Sequence, residues 1–392
     1  MVFCWHNYDD FNKHKTDLAM YYIALSLILL GVIKECFSYK TDKWYFHFCF
    51  ILIALMACFR YGQGTDYYGY YAVFKEFSNS IASGGDFSSM RTEYGYSLMM
   101  YFAYMLRLPY WAFMMIATGV IMVLCYFFLR RCCEYSMTSL LLFYVYFYMI
   151  YGLSATRQGL ATSIFLCFAY PILGREILQK KDILRYEFVI LLASLFHASV
   201  LVLALLPIMN RLSISPTVYL LAFIVCVGIL LAKINVMAYL PIGSLAARME
   251  IYSATKNTNF FALFSRMFLI LPLIFYKQES SWWFEKNKRY FFMGFVIYSI
   301  ISFSDLTATR VWSYFYPFLF ILIPCIVYND KSVKSRYYIC FYVLLSVFMW
   351  LKDINAVINQ GKYVDCNVFT YPYVSIFEGE EVIENYRTAF IK

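Results

Sequence analysis

Between residues 60 and 71 the sequence reads Arg-Tyr-Gly-Gln-Gly-Thr-Asp-Tyr-Tyr-Gly-Tyr-Tyr, placing a charge pair, three glycines and five tyrosines directly after the apolar run 44–59. Burial in a membrane requires none of these residue types. Arg60 and Asp66 at the end of a span, Gly64 open to close approach of a ligand, and Tyr67 and Tyr71 with faces suited to a sugar ring have the composition of a binding site. The competing reading is an interfacial loop, with Arg60 at the headgroups and the tyrosines in an aromatic belt.

Further ionisable groups sit where hydrocarbon would cost less. A central Arg costs about 2.5–3.5 kcal/mol to insert, so one that persists usually faces a cavity or a partner. Arg157, beside Gln158 in Gly-Leu-Ser-Ala-Thr-Arg-Gln-Gly-Leu-Ala, opens a span; its donor fork and the helix N-terminus suit a phosphate, and a snorkelling helix-end Arg is the alternative. His197 lies ten residues into the run 188–208, as a proton carrier, as a donor to an anion, or as a helix-to-helix hydrogen bond. Arg310 is followed by Trp312, Tyr314 and Tyr316, either a cation beside sugar platforms or an interfacial anchor. Arg248 and Tyr252 are one helical turn apart and share a face. Asp66 and Glu93 bracket the loop 60–93, and either carboxylate can take a proton from an attacking hydroxyl that comes within hydrogen-bond reach.

The elements that must position these groups are apolar. Of 392 residues 62% are hydrophobic and only 15% charged, which excludes a soluble domain and indicates an all-α polytopic membrane protein. About twelve runs (ten to twelve) fall near 18–33, 44–59, 94–106, 110–129, 137–150, 160–173, 188–208, 217–231, 260–276, 290–303, 311–327 and 337–350. They do not alternate as β-barrel strands would. Residues 1–19 form a polar N-terminal extension without a cleavable signal peptide, 20–350 a single transmembrane domain, and 351–392 a polar tail to which no chemistry is assigned. The loops 60–93 and 233–259 are the two long ones, expected on the outer face with 151–157 and 304–310.

The basic connections 34–43, 130–131, 174–185, 277–289 and 331–336 should be cytoplasmic, yet strict alternation cannot place all five on one side, so a crossing within 94–129 and another within 188–231 are miscounted. The net charge of +9 sits in these edges and implies no nucleic acid. The twelve cysteines show neither a disulfide framework nor zinc spacing.

Taken in order, Arg60…Gly64-Thr-Asp66-Tyr67…Tyr71, Glu93-Tyr-Gly-Tyr, Thr156-Arg157-Gln158-Gly-Leu-Ala161, Leu-Ala-Ser-Leu-Phe-His197-Ala-Ser, Arg248…Tyr252 and Arg310…Tyr314 resemble the EpsG-like branch of the Wzy O-antigen and exopolysaccharide polymerases over residues 20–327. The resemblance implies a GT-C-like glycosyltransferase of the bacterial inner membrane. Such an enzyme moves a growing glycan from undecaprenyl pyrophosphate to a lipid-linked repeat unit in O-antigen, capsule or exopolysaccharide synthesis, with its active site facing the periplasm or exterior. A chain-length regulator and a flippase are the protein partners it implies.

Under that resemblance Arg157 and Arg310, with Arg60 third, stabilise the leaving pyrophosphate, Asp66 or Glu93 activates the acceptor, His197 orients phosphates or acceptor, and the tyrosines stack on sugar. Many metal-using relatives carry an Asp-x-Asp pair; here Asp66 stands alone, so neither metal nor cofactor is expected. A lipid-linked oligosaccharide flippase and an O-antigen ligase are the alternatives.

Overall fold

The computed structural model describes residues 20–85, 92–210, 212–232, 234, 236, 260–276, 281–329, 333–361, 363 and 366–378. The loop 233–259, apart from 234 and 236, and the extension 1–19 lie outside the described residues. Among those described the secondary structure is helical, without a strand, as the hydropathy demands. The chain divides into two compact units, one built from residues up to 167, 192–198 and 339 onward, the other from 168–191 and 199–338.

In the first unit, α1 (Met20–Ser38), α2 (Lys43–Phe59), α3 (Tyr67–Ala82), α4 (Tyr94–Met105), α5 (Tyr110–Cys132), α6 (Ser136–Phe143) and α7 (Thr156–Ile164) follow one another. Helices α5 and α7 pack together, as do α1 with α6 and α2 with α5. The α1–α6 contact is fixed by Glu35, whose buried carboxylate accepts the Met137 and Thr138 N–H groups at 3.2 and 2.8 Å. A carboxylate there meets the positive end of the α6 dipole and occupies donors that would otherwise be orphaned.

Beyond Phe143 the backbone widens into the π-helix Tyr144–Gly152 and then breaks at 153–155 before α7. Such π segments recur beside functional sites. At twelve residues α4 is about 18 Å long, too short to cross a bilayer core of about 30 Å. This lies in the stretch where the positive-inside count required an error.

The second unit contains most of α8 (Lys180–Ser194), the 3-10 helix Ala198–Leu205 from Ser199 on, α9 (Pro216–Ala232), α10 (Phe260–Phe275), α11 (Trp282–Ile300), α12 (Asp305–Trp312) and α13 (Tyr316–Asn329). Helix α11 is its hub, packing on α9, α12 and α13. The basic stretch 277–289, expected as a loop, is helical from Trp282, and Lys286 and Lys288 are buried with their ammonium groups on the carbonyls of Arg175 and Tyr276. Lysines spent this way complete helix C-terminal carbonyls rather than coat a surface.

Four helices, Met20–Ser38, Tyr110–Cys132, Thr307–Tyr328 and Tyr337–Gln360, are long and apolar enough to cross a membrane, and five shorter apolar helices accompany them. The protein is therefore membrane-embedded. Two boundaries differ from the hydropathy reading. The run 188–208 is interrupted, α8 ending at Ser194 and the 3-10 helix starting at Ala198. The last helix, α14 (Val333–Gln360), continues beyond Trp350, after which residues 366–378 fold back as a strap on the first unit.

That strap is tied at several points. Tyr61 N–H donates to Val374 O and Ile376 N–H to Phe59 O, both at 2.8 Å, flanking a bridge between Arg60 and Ser375. Gln63 donates to Pro372 O, Tyr373 OH to Met56 O, and Tyr371 stacks on Tyr21 at 5.6 Å.

Candidate functional site

Glu93 is the hinge of the site. It precedes α4, and its two carboxylate oxygens are divided between partners: Oε2 accepts from Arg157 Nη1 at 2.7 Å and Oε1 meets His197 Nδ1 at 3.1 Å. The backbone cooperates. His197 occupies the break after α8, where the Ala198 N–H, freed from a helical ladder, donates to Glu93 Oε1 at 3.4 Å, and Leu195 O accepts the Gly95 N–H at 2.7 Å. A His in a continuous helix would offer no such free backbone groups.

Arg157 stands in the first turn of α7 with its guanidinium over the Tyr70 ring at 5.3 Å. Its Nε is buried without a hydrogen-bond partner. The side chains of Glu93, His197 and Arg157 remain 22%, 18% and 26% exposed, so a ligand can reach all three. The Nε2 of His197 makes no hydrogen bond among the described residues.

The 60–71 stretch is joined to this cluster. Gly64, at φ +94°, lies so close to Leu153 that a Cβ would stand 2.1 Å from its carbonyl oxygen, and the Thr65 N–H donates to Ser154 Oγ at 2.9 Å. Only glycine allows that backbone sign together with that approach. The loop carrying Asp66 is thereby fastened to the loop that leads into Arg157. Asp66 precedes α3 without capping it and accepts from Thr65 Oγ1 at 3.1 Å.

Arg60 is 3% exposed; Nη1 donates to Ala57 O and to Thr118 Oγ1, while Nε and Nη2 have no partner. Between it and the cluster stands Tyr96, within electrostatic reach of Arg60, Arg157 and Glu93. Tyr70 packs on Tyr96 at 5.8 Å.

The tyrosines divide by burial. Tyr67 is 2% exposed and its ring meets those of Tyr61, Tyr68 and Tyr110 at 5.1 to 5.8 Å, so it packs α3 rather than facing outward. Tyr71 is exposed. Gln158 is buried, and Gly159 beside it packs against Tyr151.

Arg310 and Tyr314 belong to the second unit. Arg310 is exposed in the last turn of α12, whereas Tyr314 is fully buried with its hydroxyl 2.9 Å from Ser199 Oγ, a core position and not an open platform. Arg248 and Tyr252 lie outside the described residues. Two participants went unnoticed in the sequence reading. Tyr70 sits on the stripe Tyr67, Tyr70, Phe74 and Phe77, a helical spacing that marks the packed face of α3. Arg266 is a lone arginine inside the apolar run 260–276, the same signal that selected the others.

Charge explains the state of Glu93. Burial works to raise its pKa, but the hydrogen bond from His197 and the positive field of Arg157 outweigh burial and bring it from 4.5 to about 2. A folded value below the ordinary one stabilises the protein above pH 4.5 and ceases to do so as pH falls toward 2. We therefore expect wild type to lose up to about 3 kcal/mol of stability across that window, a loss that Glu93→Gln lacks. Thermal unfolding in detergent from about pH 5 to about pH 2 checks this, and parallel curves for the two proteins would contradict it.

No three His, Cys, Asp or Glu side chains among the described residues converge to hold a metal. The arrangement is suited to stabilising an anion beside a proton-transferring imidazole. Comparison with the curated proteins and with the solved structures gives no match. The EpsG family model matches residues 43–375, nearly the whole chain, and the protein therefore belongs to the EpsG family, a family of polysaccharide polymerase-type membrane proteins.

Proposed function

We propose that this protein polymerises lipid-linked glycan repeat units, transferring a growing chain from undecaprenyl pyrophosphate to a repeat unit on the same type of carrier at the outer face of the bacterial cytoplasmic membrane. The observation that carries the reading is the single carboxylate, Glu93, holding both Arg157 and His197 while one edge of Arg157 stays unpartnered.

In the reaction an acceptor hydroxyl oxygen attacks the anomeric carbon of the donor glycan. The new glycosidic C–O bond forms as the bond to the pyrophosphate oxygen breaks, and the bonding pair leaves with the lipid pyrophosphate. The hydroxyl proton passes to His197 Nε2, since Glu93 holds Nδ1 and so fixes the tautomer that leaves Nε2 basic. Glu93 itself is a poor base near neutrality, its carboxylate being held at a pKa of about 2 and both oxygens being occupied. Arg157 faces the charge that develops on the leaving group, where a preorganised donor contributes most. Asp66 lies on the acceptor side of this assignment and Tyr71 is the exposed ring for a sugar face.

Reconstitution in liposomes with a lipid-linked repeat unit tests the proposal. A ladder of lengthening products on a gel is the expected result; translocation of the unit across the bilayer without chain growth would instead make the protein a flippase.

A further inference from the structure

In the second unit a buried arginine stands without a counter-charge. Arg266 lies in the second turn of α10, 4% exposed, in a run of Phe, Leu and Ile. Its Nη1 donates to Tyr298 Oη at 2.7 Å and its Nη2 to Thr309 Oγ1 at 3.1 Å, and the guanidinium lies over the Tyr298 ring at 4.1 Å. All of these partners are neutral, and Nε is buried with no partner. No described carboxylate pairs with it.

A cation in hydrocarbon surroundings costs several kcal/mol, of which an aromatic face returns up to about 2 kcal/mol. The remainder calls for an anion. The way in is visible: Thr309 is exposed, and Arg310, exposed as well, follows it in α12. A ligand arriving at Thr309 meets the Arg266 fork with a hydroxyl beside it, the donor set that suits a tetrahedral oxyanion bound bidentately.

We propose that Arg266, with Thr309 and Tyr298, forms a binding site for a lipid phosphate in the second unit. Two lipids share that chemistry, a polyprenyl phosphate and an anionic phospholipid headgroup. The site requires no transfer reaction, so its failure leaves the assignment of Glu93, Arg157 and His197 untouched, and the reverse holds too.

The test is the thermal unfolding midpoint of the purified full chain in phosphatidylcholine vesicles, alone, with added polyprenyl phosphate, or with added phosphatidylglycerol. Wild type should be stabilised by at least one of the two additions; polyprenyl phosphate alone identifies the carrier, and both together identify general headgroup binding. Arg266→Gln should weaken the apparent affinity roughly tenfold or more. Arg266→Lys keeps the charge but loses the fork, and provides the same readout if the Gln variant does not fold. Tyr298→Phe removes a neutral partner only and should retain the response. Absence of any response in wild type, or an undiminished response in both Arg266 variants, overturns the site.

Discussion

Arg157→Lys should abolish detectable chain growth, with the rate falling roughly 100- to 1,000-fold, the range seen when a preorganised donor to a developing oxyanion is removed. The substitution keeps a positive charge near Glu93 but loses the planar fork, the stacking on Tyr70 and the unpartnered Nε edge. Because those features act on the leaving group as its charge develops, kcat should fall with KM little altered. The side chains are partly exposed, so the Arg157–Glu93 pair itself is worth only about 1 kcal/mol, and Glu93 retains His197. The variant should therefore fold. Single-turnover assays on reconstituted protein separate the two effects. A variant with full kcat and a raised KM would assign Arg157 to ground-state binding and remove it from the chemistry.

Tyr371→Ala has the largest expected effect on stability. Tyr371 is 1% exposed, stacks on Tyr21 and meets Tyr363 edge-on at 5.2 Å. Truncating a fully buried aromatic costs about 3–5 kcal/mol. The loss should not stay local, because the strap holds residues 59–63 through main-chain hydrogen bonds on both sides of Arg60. We expect a lower unfolding midpoint together with new proteolytic cleavage between residues 60 and 66, and reduced chain growth where Thr65 loses its register on Ser154. A variant that melts earlier but keeps the 60–66 loop protected would show that the strap serves stability alone.

The helices were legible in the sequence because hydropathy acts locally. The runs read at 44–59, 94–106 and 217–231 differ from Lys43–Phe59, Tyr94–Met105 and Pro216–Ala232 by one residue at each end that differs. The interruption at His197 was not legible, since Leu-Phe-His-Ala-Ser contains no Pro or Gly to announce it, and the break is held by contacts with Glu93 and Gly95 about a hundred residues away.

Residue type selected Glu93, Arg157 and His197 as candidates, and only tertiary structure shows that one carboxylate joins them. Type was also insufficient for Tyr67 and Tyr314, since a tyrosine suited to a sugar face is equally suited to a core. The tail read as featureless because its partners are more than 300 residues distant, and the family match running to residue 375 includes it.

The strap also sets an order of events during synthesis. Gln63 meets Pro372 across 309 residues of chain and Met56 meets Tyr373 across 317. Contacts of such separation form late, after local helices are in place. The loop bearing Arg60 and Asp66 leaves the ribosome early yet cannot acquire its final hydrogen bonds until residues 363–376 have emerged and returned to it. A nascent or prematurely terminated chain thus presents helices already inserted around an unfinished loop, and would occupy the membrane as an inactive species.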